Sequence, residues 1–241
     1  RTRHPKPSRL AVGQASRVLP PGVAASSAAL RRRRWCFRLT ALVLSPLLAF
    51  GLLEAGLRIG GFGYPTSFFL PWKLNSQEVL VENSRFGWRF FGPELARSPY
   101  PFAMPAAKPP GTCRVFVFGE SAAYGDPQPE FGLARMLAVL LRERYPGVRF
   151  EVVNVAMTAI NSHVILPIAQ DCAGQHGDVW VIYMGNNEVI GPFGAGTVFG
   201  PQAANRALVR GSLAIKATKT GQLLERGLAA ASERVFNRFL G

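Results

Sequence analysis

Val115-Phe-Val-Phe-Gly-Glu-Ser121, with Ala-Ala-Tyr-Gly125 behind it, is the stretch that decides the fold. Four consecutive apolar, β-favouring residues stop at Gly119, and an acid and a serine follow. A short apolar run closed by glycine suits a central strand of a parallel sheet, buried on both faces. Behind it the chain passes Pro127 and Pro129 and enters the amphipathic run from Phe131 to Leu141. Ligands of such sheets bind at the carboxyl ends of the strands. Ser121 is thereby expected on that rim, at a strand-to-helix turn with backbone N–H groups close by, where a serine nucleophile is useful.

Downstream the same alternation repeats. A helix is predicted over about 132–145, a strand at Phe150–Val155, a helix from Ser162 to just before Gly174, and a strand at Val179–Met184. Alternating units of this length predict an α/β fold, a three-layer α/β/α doubly wound parallel sheet. After Gly191 come a Gly-rich loop, a basic stretch around Arg206–Lys219, and an amphipathic helix with Leu224, Leu228, Val235 and Phe239 at helical spacing. Upstream, residues 61–112 hold Phe68-Phe-Leu-Pro-Trp72, Phe86-Gly-Trp-Arg-Phe-Phe91 and Pro99-Tyr-Pro-Phe102. That segment is too apolar for a free linker and too punctuated for a helix. It is expected to run extended against the domain, with a short strand at Val79–Glu82.

The chain of 241 residues, 48% hydrophobic, is long enough for one full domain plus extras. It opens on Arg1 and ends within a helical pattern, and it reads as part of a longer protein. The net charge of +14 is unevenly spread: ten of 28 Lys and Arg fall in the first 38 residues, ahead of the first acid, Glu54. A nucleic-acid binder carries its basic stripe on a folded surface. Here the charge is a leader, so nucleic acid is not an expected partner.

Residues 1–34 read as a disordered basic leader. Arg31–Arg34 then meet the uncharged run Leu39–Leu53, about 22 Å as helix against about 30 Å of hydrocarbon. Snorkelling by Arg38 and pairing of Glu54 with Arg58 one turn on lengthen the span. With no small-x-small cleavage site behind it, residues 35–60 read as an uncleaved transmembrane anchor rather than a signal peptide. The positive-inside rule would export everything after Gly60, placing the domain in a periplasmic or extracellular space. Cys36, Cys113 and Cys172 have no metal-ligand spacing, so no metal and no cofactor are expected. Cys113 and Cys172 are read either as a pair at the amino edge of the sheet or as two small buried hydrophobes.

Each predicted strand ends in a polar loop, and topology puts the three loops on one rim. The first offers Gly119-Glu120-Ser121; the second runs from Asn154 through Ala159 to His163; the third offers Gly185-Asn186-Asn187-Glu188. Acyl transfer through serine needs a nucleophile, a base, and donors aimed at the developing oxyanion. The nucleophile and the donors are here.

F-G-E-S-x-x-x-G, then N-x-A-x-x-A, then G-x-N-E resembles the first three blocks of the SGNH (GDSL-type) hydrolase family over roughly 130 residues, set against the motif context such signatures need. The lead-in from Phe86-Gly-Trp-Arg to Lys108-Pro-Pro-Gly-Thr-Cys-Arg-Val is similar to membrane-anchored bacterial members. The resemblance implies Ser121 as nucleophile, Asn187 as side-chain oxyanion donor, and the N–H groups of Ser121 and Ala159 as further donors. Ala159 stands where the family has glycine, and it serves provided the loop does not need φ > 0. Glu120 and Glu188 stand where the family has Asp, and with Gly119, Gly185 and Asn154 they fit supporting roles. Residues 113–241 would then be an SGNH-like domain whose carboxyl-terminal part is missing. The family's D-x-x-H block does not occur in the sequence. His163 is on the correct rim but reads as a lining or capping residue, so the base is expected beyond Gly241.

The function expected is a membrane-anchored serine hydrolase acting on oxygen esters of a carbohydrate or lipid, with an ester-bearing small molecule or glycan as partner. Its rivals are an O-acyltransferase and a non-catalytic SGNH-like binding or scaffold module. A flavodoxin-like nucleotide binder lacks any G-x-G-x-x-G or P-loop lysine.

Overall fold

The computed structural model describes residues 21–200, 202 and 205–240. The chain divides into two compact units between Leu53 and Glu54. Most of the first is helix α1, Pro21–Ile59, so residues 21–34 are helical rather than part of a disordered leader. The leader expected over residues 1–20 lies outside the described residues. Within α1, Ala29–Ile59 is long and apolar enough to cross a membrane, with a mean hydropathy of 1.9. Its leucines face outward: Leu42 is 72% exposed and Leu47 62%. A helix apolar on all sides suits lipid.

The second unit is mixed α/β. Strands β1 (Phe69–Leu74), β2 (Gln77–Glu82) and β3 (Ala103–Pro105) form an antiparallel sheet in that order. The β1–β2 hairpin closes on Asn75-Ser76, both at positive φ (47° and 68°), as a tight two-residue turn demands. The segment expected to be extended is thus a small sheet of its own. With it comes the four-residue helix α2, Trp88–Phe91.

The parallel sheet has the order β5-β4-β6, from β4 (Thr112–Gly119), β5 (Arg149–Asn154) and β6 (Val179–Tyr183). The predicted runs and the strands agree to within three residues at each end. Strand β4 is central and buried along nearly its whole length. Between the strands lie the short α3 (Ser121–Tyr124), a 3₁₀ turn at Pro129–Phe131, α4 (Leu133–Arg144) and α5 (Ser162–Ala173).

Alternation along β4 assigns the faces. Phe116 and Phe118 pack with Val164, Ile165, Ile168 and Cys172 of α5. Val117 packs on the other side with Ala134 of α4 and with Ala123. The lead-in phenylalanines join the α5 face: Phe68 meets Phe69 and Phe86 edge-on, each at 5.1 Å. Such aromatic pairs add about 0.5–1.5 kcal/mol each beyond their buried area.

Strand β6 is an edge strand, with Ile182 59% and Tyr183 55% exposed. Two further helices follow, α6 (Arg206–Ala217) and α7 (Lys219–Leu240). The basic stretch is therefore helical, and its Leu213 packs on the α5-side core. Along α7, Leu224, Leu228 and Val235 are exposed rather than buried, and the Phe239 side chain falls outside the described set. Glu54 pairs with Arg58 at 2.8 Å as expected. Its carboxylate also accepts the N–H groups of Lys219 (3.0 Å) and Thr220 (2.8 Å) at the start of α7.

All three cysteines are free. Cys172 is fully buried, and burial pushes its thiol pKa up, which leaves an inert core residue rather than half of a disulfide.

Arg114, on β4, has no exposed surface. Its guanidinium donates to Glu151 (2.6 Å) and to the carbonyls of Gln175 (2.7 Å) and Pro105 (3.0 Å), tying both sheets to the α5–β6 turn. Arg114→Ala should destabilise the second unit by about 3–5 kcal/mol, because Glu151 and two carbonyls lose their donors. Urea unfolding followed by tryptophan fluorescence reads this, and a loss under about 1 kcal/mol would contradict it.

Candidate active site

In a sheet of this order the ligand crevice lies at the carboxyl ends of the strands, between β4 and β6. Gly119 closes β4 at φ 156°, and a Cβ there would collide with the Tyr183 carbonyl oxygen and the Ala123 methyl. Only glycine lets the two strand ends approach so closely. Glu120 then stays extended, and Ser121, half-buried, opens α3. As the first residue of a helix, Ser121 keeps an N–H with no intrahelical acceptor.

Glu120 is 1% exposed. Its carboxylate accepts the N–H groups of Gly185 (3.2 Å), Asn186 (2.9 Å) and Asn187 (3.3 Å). A buried carboxylate is tolerable only with such donors. The contact lays the loop after β6 across the turn after β4, so Gly119, Glu120, Ser121, Gly185 and Asn187 gather round one charge. It also engages the Asn187 amide, so what Asn187 has left to offer a ligand is its side-chain carboxamide.

The loop after β5 joins them. The Met157 N–H donates to the Gly119 carbonyl (3.2 Å). Asn154 donates through Nδ2 to the Tyr124 carbonyl (3.1 Å) and accepts the Ala156 N–H (3.2 Å). Ala159 sits at φ 60°, so the loop does need the left-handed region and the condition set for an alanine there is not met. That conformation costs a non-glycine residue about 1–2 kcal/mol.

Glu188 is exposed but not merely solvated. It accepts the N–H (2.8 Å) and the hydroxyl (2.7 Å) of Ser162 at the start of α5. Next to it, Asn161 is fully buried, caps α5 by accepting the His163 N–H (3.2 Å), and donates to the Pro192 carbonyl (2.9 Å). The sequence reading passed over Asn161, although an Asn two residues ahead of an apolar helical run is an N-cap signature.

The His163 ring lies edge-on to Phe193 at 5.8 Å and lines a cavity on the α5–α6 side, which Ser121 does not line. Among the described residues no hydrogen bond joins His163 to Ser121. His176 lies in the turn before β6, at the amino edge of the sheet. Among the described residues no group of three or more His, Cys, Asp or Glu side chains is gathered for a metal.

Comparison of the chain with protein-family models, with curated proteins and with solved structures finds no match in any of the three.

Two substitutions test the geometry. Glu120→Ala leaves three partly buried amides without their acceptor and should cost about 1–3 kcal/mol, read as a lowered urea midpoint. Ala159→Gly should stabilise by about 1 kcal/mol and raise the melting temperature by about 2–4 °C, since relief of strain outweighs the added freedom of the unfolded chain. A lower melting temperature for Ala159→Gly would mean that the left-handed alanine is not strained.

Proposed function

We propose that the second unit is the amino-terminal part of an SGNH-type serine hydrolase that cleaves oxygen esters through an acyl-enzyme on Ser121. The observation that carries this reading is the clamp of residues 185–187 by the Glu120 carboxylate, one residue from Ser121. It holds the backbone of the Ser121 and Asn187 loops together on one rim, which supports the preorganisation that oxyanion stabilisation requires. The strand order β5-β4-β6, with α4 and α5 on opposite faces, supports the finer three-layer doubly wound assignment.

In this mechanism the Ser121 Oγ attacks the ester carbonyl and a base accepts its proton. The Ser121 N–H and the Asn187 side chain hold the oxyanion. Collapse expels the alcohol, and water or a second alcohol releases the acyl group, giving hydrolysis or O-acyl transfer. Neither described histidine hydrogen-bonds Ser121, so the base would come from chain outside residues 1–241. Helix α1 would hold the domain at a membrane, its arginines on the cytoplasmic side and the domain exported to meet a carbohydrate or lipid ester.

A second reading, a non-catalytic module that binds esters or glycans on the same rim, is favoured by the strained Ala159 where the family carries glycine. Full-length protein treated with a fluorophosphonate probe separates the two. Covalent labelling that Ser121→Ala abolishes, with Asn187→Ala slowing it by about 10²–10³-fold, fits the hydrolase. An unlabelled but folded protein would sink it in favour of the binding module.

A further inference from the structure

A cavity of about 760 Å³ opens between α2, α5 and α6, in the size range of small-molecule sites. Arg89 lines it, is only 9% exposed, and its Nε has no hydrogen-bond partner. The guanidinium lies over the rings of Phe90 (4.7 Å) and Phe86 (5.0 Å), a contact that favours the cation but supplies no acceptor. The nearest lining acid, Asp171, spends Oδ2 on the Phe68 N–H (2.6 Å) and forms no salt bridge with Arg89 among the described residues. Desolvation holds the Arg89 pKa below the usual guanidinium value, with Asp171 pulling the other way.

Arg206 and Arg210 line the same cavity, so its lining holds three arginines against one acid, Asp171. Leu166 and Pro167 of α5 and Val209, Leu213 and Ala214 of α6 give the cavity an apolar strip, and Thr66, Ser67, Ser162, His163 and Gln170 add polar lining. Planar guanidinium forks match carboxylate and phosphate oxygens, and a buried arginine without an acceptor is costly to keep in a purely structural role.

We infer that this cavity binds an anionic amphiphile, its carboxylate or phosphate held by Arg89, Arg206 and Arg210 and its apolar chain lying between α5 and α6. The site is separate from Ser121 and stands whether or not the rim is catalytic.

Calorimetric titration of the full chain in phosphatidylcholine nanodiscs, with empty discs subtracted, tests it using octanoate, octyl phosphate, inorganic phosphate, octanol and octyltrimethylammonium. Octanoate or octyl phosphate should bind at least about tenfold tighter than the other three, because a charge-assisted hydrogen bond and an apolar contact both add. Which of the two binds tighter identifies the oxyanion. Arg89→Met should weaken binding about tenfold or more, and the surface variant Arg210→Gln, which leaves the buried core untouched, several-fold. Ser121→Ala should bind as the parent does. Equal binding of octanol or of the trimethylammonium compound overturns the oxyanion assignment, and equal binding of inorganic phosphate overturns the amphiphile. Loss of binding in Ser121→Ala would place the ligand on the rim and overturn the separate site. No binding of either anion overturns the inference entirely.

Discussion

The Glu120 carboxylate lies where the loops after β4 and β6 meet, and the shape of the rim follows from how that charge is accommodated. A carboxylate with 1% exposure is shielded from solvent, and among the described residues its donors are the amides of residues 185–187. Those amides can converge on it only if the backbone after β6 curls over the end of β4. That approach in turn requires Gly119 to have no side chain. The remaining contacts extend the same logic: Glu188 binds the curled loop to Ser162, and Asn161, the cap of α5, donates to the loop's Pro192 carbonyl. A loop fixed at three points has little conformational freedom left to lose, so any ligand of the rim would meet it already ordered.

One strand organises both rims of the parallel sheet. Arg114 at the amino end of β4 and Glu120 just past its carboxyl end are both buried, opposite in sign, and saturated with partners from other elements. Each is worth more as an organiser than as a source of stability, because the alternatives to the native partners are unsatisfied buried charges. Apolar packing around Phe116 and Phe118 makes the core, and these two ions fix which loops cross its ends.

The sequence made the backbone plan readable and left the charges obscure. Val115–Phe118 closed by Gly119 marked β4. The apolar runs, with Pro127 and Pro129 ahead of α4 and Gly174 behind α5, bracketed α4, β5 and α5 to within a residue or two. Exposure of β6 was not readable, because an apolar run looks the same whether or not a neighbour covers it. Of the small sheet, β2 was marked at Val79–Glu82, while β1 and β3 hid behind prolines that usually argue against strands, and α6 hid within a basic stretch. Glu120, Arg114 and Arg89 were obscure for one reason: a charged residue reads as solvated until a tertiary partner is known. Ala159 was legible only as a departure from glycine, since φ is settled by the loop and not by the residue.

Comparison of the two buried arginines separates scaffold from site. Arg114 and Arg89 are both buried, yet Arg114 spends three of its nitrogens on protein oxygens and the Nε of Arg89 meets none. Burial is therefore not what distinguishes them; completeness of hydrogen bonding is. Arg114 faces a closed interior, where an open valence would find nothing to bind. Arg89 faces a cavity that also receives Arg206 and Arg210, where an oxyanion entering from solvent would meet all three. The desolvation already imposed on Arg89 makes each bond to such an anion stronger than the same bond in water, so affinity would concentrate on Arg89 rather than on the exposed Arg206 and Arg210.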